Sequence, residues 1–142
     1  MSFDIIRFEA LNAKQKEIYN FHKVAARLAD YGYHSMWLSD DWQGADFLAV
    51  HVDGKTVLRV QLKSRLAIDK KYWGKDLHIA FRHGERVFVY PHDELVTWAI
   101  DRKHVGELTD AWDKKGQWHW PKLPGWASAF LEPSYELKAA PS

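Results

Sequence analysis

An α/β fold built on a central sheet covered on both faces is the architecture this sequence predicts. Three observations point to it. A helical apolar pattern runs through 13–31, two largely apolar strands meet at Asp53-Gly54, and a second hairpin at His83-Gly84 leads into another helical stretch. The 142 residues suffice for one ordinary domain with a sizeable core.

The elements follow in order. Asn12 is a good N-cap, and Gln15 stands where its reciprocal partner belongs in a capping box. Ile18, Phe21, Ala25 and Leu28 follow at helical spacing, and Gly32 suits the left-handed residue that ends a helix. The helix is expected over 13–31. Glu17 falls about 40° from Phe21, inside the apolar stripe rather than on the wet face. Tyr33 to Leu38 reads as a first strand and Ser39 to Gly44 as a loop. Asp46–Val52 and Thr56–Ser64 read as strands around Asp53-Gly54, a strong hairpin signal. Phe47 and Ala49 point one way, Leu48 and Val50 the other, so both faces are apolar.

Residues 65–75 are basic and polar and read as a loop or short helix. Asp76–Arg82 and Arg86–Tyr90 form the second hairpin, and Pro91 precedes a helix over 92–101 with His92 or Asp93 as cap. From about 102 the chain is poorly periodic and rich in Trp, Pro and Gly. That irregular segment is expected to belong to the same single domain, 1–142. Trp112, Trp118, Trp120 and Trp126 are expected to anchor it on the core; stacking on bases is the alternative use.

Composition excludes several classes. Without cysteine there are no disulfides and no thiolate zinc sites. No apolar run approaches the roughly 18 residues of a membrane span. The start, MSFDIIRFEA, lacks the basic-then-apolar pattern of a signal peptide, so no membrane partner and a cytoplasmic location are expected. The histidines show no HExxH or paired zinc spacing, and neither GxSxG nor a P-loop is present. His119 belongs to no usable nuclease motif, and His22 reads as structural or exposed. The net charge of +1 hides 9 basic and only 3 acidic side chains between 55 and 86. Such a block suits a polyanion, although a solvated basic face has the same composition.

The hairpin register carries the chemistry. A two-residue turn at Asp53-Gly54 sets Val52 opposite Lys55 and Asp46 opposite Gln61. A four-residue loop keeps that register, and a three-residue loop or a bulge breaks it. Opposed residues share a face, and Lys63 lies two positions beyond Gln61 on the same side. A carboxylate, an amide oxygen and an ammonium then gather at one end of a strand pair. Phosphodiester hydrolysis uses such a set. Asp46, the Gln61 side chain and the Leu62 carbonyl are oxygen ligands suited to Mg²⁺, and Lys63 can orient or deprotonate the attacking water.

Asp46, fourteen residues, then Gln61-Leu62-Lys63 resembles the PD-(D/E)XK nuclease signature in its QxK variant. The stretch from Gly44 to Arg65 is similar to the small resolvase-like and intron-homing-type endonucleases of that superfamily. The resemblance implies a restriction-endonuclease-like fold, α/β with a central mixed sheet flanked by helices. It implies a metal-dependent endonuclease acting on DNA, with Mg²⁺ as cofactor and Mn²⁺ as a substitute. An acid on the preceding helix is typical of these enzymes, which gives Glu17 a place at the metal or its waters.

The sequence departs from the pattern in three places: Ala45 stands where the proline would, no crossover helix is evident in 65–75, and Gln61 is neutral. The last keeps open a catalytically inactive nucleic-acid-binding or assembly domain with the same fold. Arg65, Lys70, Lys71 and Lys75 are the expected nucleic-acid contacts. Asp40 and Asp41 are alternative outer acids, and Arg59 shares the Asp46 face. Cutting a duplex takes two sites, so a nicking monomer and a homodimer are both open.

Overall fold

The structure, a computed structural model, describes residues 1–104, Trp112 and 115–141. In chain order the elements are α1 (Ala13–Ala29), β1 (Tyr33–Trp42), β2 (Ala45–His51), β3 (Val57–Leu62), β4 (Leu66–Asp69), β5 (Leu77–His83), β6 (Arg86–Pro91), α2 (His92–Asp101), β7 (Gln117–Trp120), α3 (Gly125–Ser134) and β8 (Glu136–Leu137). The main sheet runs β1-β2-β3-β5-β6-β8, and β4 pairs with β7 in a separate ribbon. Only β3 and β5 are parallel; the other neighbouring strands are antiparallel. The sheet is therefore mixed, as expected.

Alternation along the strands makes two cores. Phe47, Val60, Leu62, Ala80, Val87 and Val89 face Val24 and Leu28 of α1. Ile79, Phe81, Phe88 and Tyr90 face Leu95, Val96 and Ala99 of α2, Leu66 and Ile68 of β4, and Ala127 and Leu131 of α3. Each of the Val, Leu, Ile and Phe side chains among them, once fully buried, contributes roughly 1.5–3 kcal/mol. Among the described residues no helix is long and apolar enough to cross a membrane.

Asn12 and Gln15 form the capping box, with Asn12 Oδ1 accepting from the Gln15 N–H at 2.8 Å and Gln15 Oε1 from the Asn12 N–H at 2.9 Å. The helix ends at Ala29, two residues before the expected end, and Gly32 follows at φ 86°. Its buried stripe is Asn20, Val24 and Leu28, whereas Ile18 is exposed. Asn20 is tolerated there because its Oδ1 accepts from Arg82 Nε at 3.0 Å.

Several expectations are corrected. The first strand continues through Ser39–Asp41 to Trp42, because a bulge keeps these polar residues beside β2. The turn at Asp53-Gly54 is a four-residue loop, closed by the His51 N–H to the Thr56 carbonyl at 2.9 Å. The Asp53 carboxylate holds it by accepting from the N–H groups of Lys55 and Thr56 and from the Thr56 hydroxyl, which keep that carboxyl well below its ordinary range. The register of β2 on β3 survives.

Residues 65–75 hold β4 and a 3₁₀ turn at Lys70–Tyr72 instead of a plain loop or helix. Distant groups pin β4: the Tyr90 hydroxyl bridges the Ala67 N–H and carbonyl, and His92 Nε2 accepts from the Asp69 N–H at 3.0 Å. That buried role for His92 leaves α2 without a side-chain cap. The segment from 102 contains β7, α3 and β8, and its part at 105–111 and 113–114 lies outside the described residues. Trp112, Trp118, Trp120 and Trp126 pack on the α2-side core, as anchors would.

Candidate active site

The site begins where a hydrogen-bond ladder stops. β2 and β3 pair from Val50–Val57 to Phe47–Val60. In an antiparallel ladder continued by one more bonded pair, the Leu62 N–H would go to the Ala45 carbonyl. It goes instead to Asp46 Oδ2, at 2.8 Å.

The cause lies on the other side of β2. Trp37 stands opposite Phe47 and Trp42 opposite Ala45, so Leu38 to Asp41 bulge against the single residue Asp46. Bulges twist a strand locally and re-aim its side chains. The turn that closes β1 onto β2 needs left-handed backbone, with Gln43 at φ 54° and Gly44 at φ 90°. The left-handed φ favours glycine at 44, and a Cβ there would lie 2.8 Å from Leu77 Cδ1 and force that side chain to shift. Asp41 Oδ1 accepts from the Gly44 N–H at 2.7 Å and holds the turn.

Asp46 is half-buried, and burial pushes its carboxyl above the ordinary value of 3.8. The Leu62 N–H opposes that rise, the charge of Glu17 adds to it, Lys63 opposes it and Asp41 adds again. The Leu62 backbone, Lys63 and Glu17 thus all act on Asp46. Lys63 leaves β3 with its N–H on the Ala80 carbonyl at 2.8 Å, and its ammonium lies over the Tyr72 ring at 5.3 Å. It makes no ion pair with any described carboxylate. Gln61 stands beside Ile79 across the parallel pair, one step past the last β2–β3 pair, and its amide has no hydrogen-bond partner among the described residues.

Glu17 sits in the first half of α1, nearly in line with Val24 and Leu28, and pairs with Lys14 at 2.9 Å across the rim. Asp40 is exposed. Arg59 is engaged by Gln43 at 2.6 Å and Asp76 at 3.5 Å and lies over Trp42. Among the expected nucleic-acid contacts, Lys71 lies 3.7 Å from Asp69, and Lys70 lies over the Trp112 ring. Lys75 lines a polar hollow with Gln43, Arg59 and Asp76. Arg65 reaches His119, 3.4 Å from Nδ1. Tyr72 was missed in the sequence. It is buried and its ring carries the Lys63 ammonium, but nothing in a polar stretch marked it out.

The donor set suits a hard divalent cation. A half-buried carboxylate burdened by the neighbouring acids Glu17 and Asp41 has only Lys63 among the named charges to offset them. Among the described residues no three His, Cys, Asp or Glu side chains group as a ligand set, so backbone and amide oxygens would have to complete the coordination.

No family model matches the chain, and no curated protein matches it. A solved structure does match: the bacterial homing endonuclease I-Ssp6803I, with a TM-score of 0.52 over 85% of this chain and 87% of that one, at 14% identity. At that identity the likeness speaks for the fold, a mixed sheet flanked by helices.

Proposed function

We propose that this chain, which shares its fold with a homing endonuclease, is a Mg²⁺-dependent endonuclease that hydrolyses phosphodiester bonds in DNA. One observation carries the reading: the broken ladder turns the Asp46 carboxylate onto the Leu62 N–H, where Lys63 and Glu17 both influence it. Asp46, the Gln61 amide oxygen and the Leu62 carbonyl would hold the cation, with Glu17 reaching it or its waters. When bound, the cation polarises the scissile phosphoryl oxygen and lowers the proton affinity of water.

The chain's own groups do the rest. The Lys63 ammonium, steadied on the Tyr72 ring, donates to the attacking water or to the phosphoryl oxygen where charge gathers. The water oxygen bonds to phosphorus, the bond from phosphorus to the leaving sugar oxygen breaks, and a proton passes from the water to solvent while another reaches the leaving oxygen.

Cleavage of plasmid, linear and branched DNA with Mg²⁺ or Mn²⁺ tests the reading. Asp46→Asn and Lys63→Ala should each lower the rate by at least about 10²-fold. No cleavage of any DNA or RNA by the wild-type protein with either metal sinks it. The neutral Gln61 favours a second reading, a nucleic-acid-binding domain without catalysis. Salt-dependent DNA binding without cleavage would establish that one.

A further inference from the structure

Beside Lys63 lies a cleft of about 310 Å³ whose lining includes Ser64, Arg65, Asp69, Gln117 and His119. The β4–β7 ribbon makes it. Ala67 pairs with His119 and Asp69 with Gln117, which brings a distant part of the chain next to the segment leaving β3. Along β7 the tryptophans at 118 and 120 pack on the core, so the period of two leaves Gln117 and His119 exposed.

Arg65 Nη1 lies 3.4 Å from His119 Nδ1. A guanidinium only donates, so in this arrangement Nδ1 accepts and Nε2 carries the ring proton as a further donor. The one acid of the cleft, Asp69, is already engaged by the Lys71 N–H at 3.0 Å and the Lys71 ammonium at 3.7 Å. What remains is a concave surface of ammonium, guanidinium, imidazole, amide and hydroxyl. Its volume is at the low end for ligand pockets, about 300–1,000 Å³, which suits a nucleotide unit better than a bare anion.

We infer that this cleft receives the nucleotide adjoining the scissile bond, with its phosphate held between Arg65 and His119. The inference rests on the nuclease reading, because Lys63 lines the cleft and belongs to the proposed catalytic set. Arg65 and His119 are binding groups here and take no part in the bond-breaking step.

Anisotropy of a labelled DNA duplex, with Ca²⁺ in place of Mg²⁺, measures binding; cleavage kinetics with Mg²⁺ run alongside. Arg65→Ala and His119→Ala should each weaken binding roughly tenfold and raise KM with little change in kcat. Arg65→Ala should also lower the salt slope by about one. The double variant should lose less than the product of the single losses, because both groups hold one phosphate. His119→Asn, which keeps a donor, should recover part of the loss, and Lys55→Ala at the far hairpin loop should bind as wild type.

Unchanged affinity and KM in both single variants, with wild-type melting temperatures, overturns the cleft while leaving the nuclease reading intact. A wild-type protein that binds but does not cleave, with both variants weakened, upholds the cleft and removes the catalytic reading. A wild-type protein that neither binds nor cleaves removes both.

Discussion

Asp46 holds its proton to higher pH in the folded chain than in the unfolded one, chiefly because it is half-buried. The linkage has a definite sign. Stability falls as pH rises from the ordinary value of 3.8 through the raised folded value, and stays lower above it. Asp46→Asn removes the buried charge while its amide oxygen can still accept from the Leu62 N–H. Without divalent metal at pH 7.5 it should melt at or above the wild-type temperature, and the difference should shrink below about pH 4. Millimolar Mg²⁺ should then raise the melting temperature of the wild type and leave Asp46→Asn unmoved. A variant that melts lower than wild type without metal, or that gains equally from Mg²⁺, would show that Asp46 is an ordinary structural acid. The register of β2 on β3 was legible because a period-two pattern and an Asp-Gly loop set it. Tyr72 was not legible, since its role depends on a turn that only distant partners fold.

At the scale of elements, the β1 bulge and the β4–β7 ribbon shape the site. Gly44→Ala imposes a left-handed alanine and a clash with Leu77. It should cost at least about 1–2 kcal/mol by chemical denaturation and reduce cleavage as well, because the bulge it closes aims Asp46. A variant with wild-type stability and rate would detach the bulge from the site. The ribbon is pinned by His92, which is fully buried and whose pKa burial pushes below the ordinary 6.5. A neutral imidazole is needed to accept from the Asp69 N–H, so its stabilisation is complete above 6.5 and is lost as pH falls below it. His78, lowered by burial too, adds to the same slope. Melting temperature should therefore drop between pH 7.5 and 5, and His92→Gln should flatten part of that drop. An equal drop in His92→Gln would exclude His92 as the source. Helices α1 and α2 were readable because the capping box of α1 and the apolar spacing of both are local signals. The ribbon was not, because a four-residue strand has no pattern of its own.

For the whole molecule, the basic block of 55–86 shrinks once its partners are visible. Arg86 is held by Glu136 at 2.9 Å and Glu132 at 3.2 Å, Arg82 by Asn20 and the Gly84 carbonyl, Arg59 by Gln43 and Asp76, and Lys71 by Asp69. Near the site, Lys63, Arg65 and Lys75 remain exposed or half-exposed without a described acid partner. DNA affinity should therefore fall with salt at a log–log slope of about −3, since each neutralised phosphate contributes about 0.9. A slope near −8 would mean that the paired arginines open to meet DNA. A flat response would argue against nucleic acid altogether.

The sequence by itself determined helices α1 and α2, the hairpins and the register of β2 on β3, because apolar spacing, turns and alternation act over a few residues. Only the tertiary structure decided that the ladder breaks at Asp46, that Tyr72 lies under Lys63 and that His119 meets Arg65. Each of these depends on parts of the chain that are distant in sequence, and a local pattern cannot encode which distant backbone donor a side chain will find.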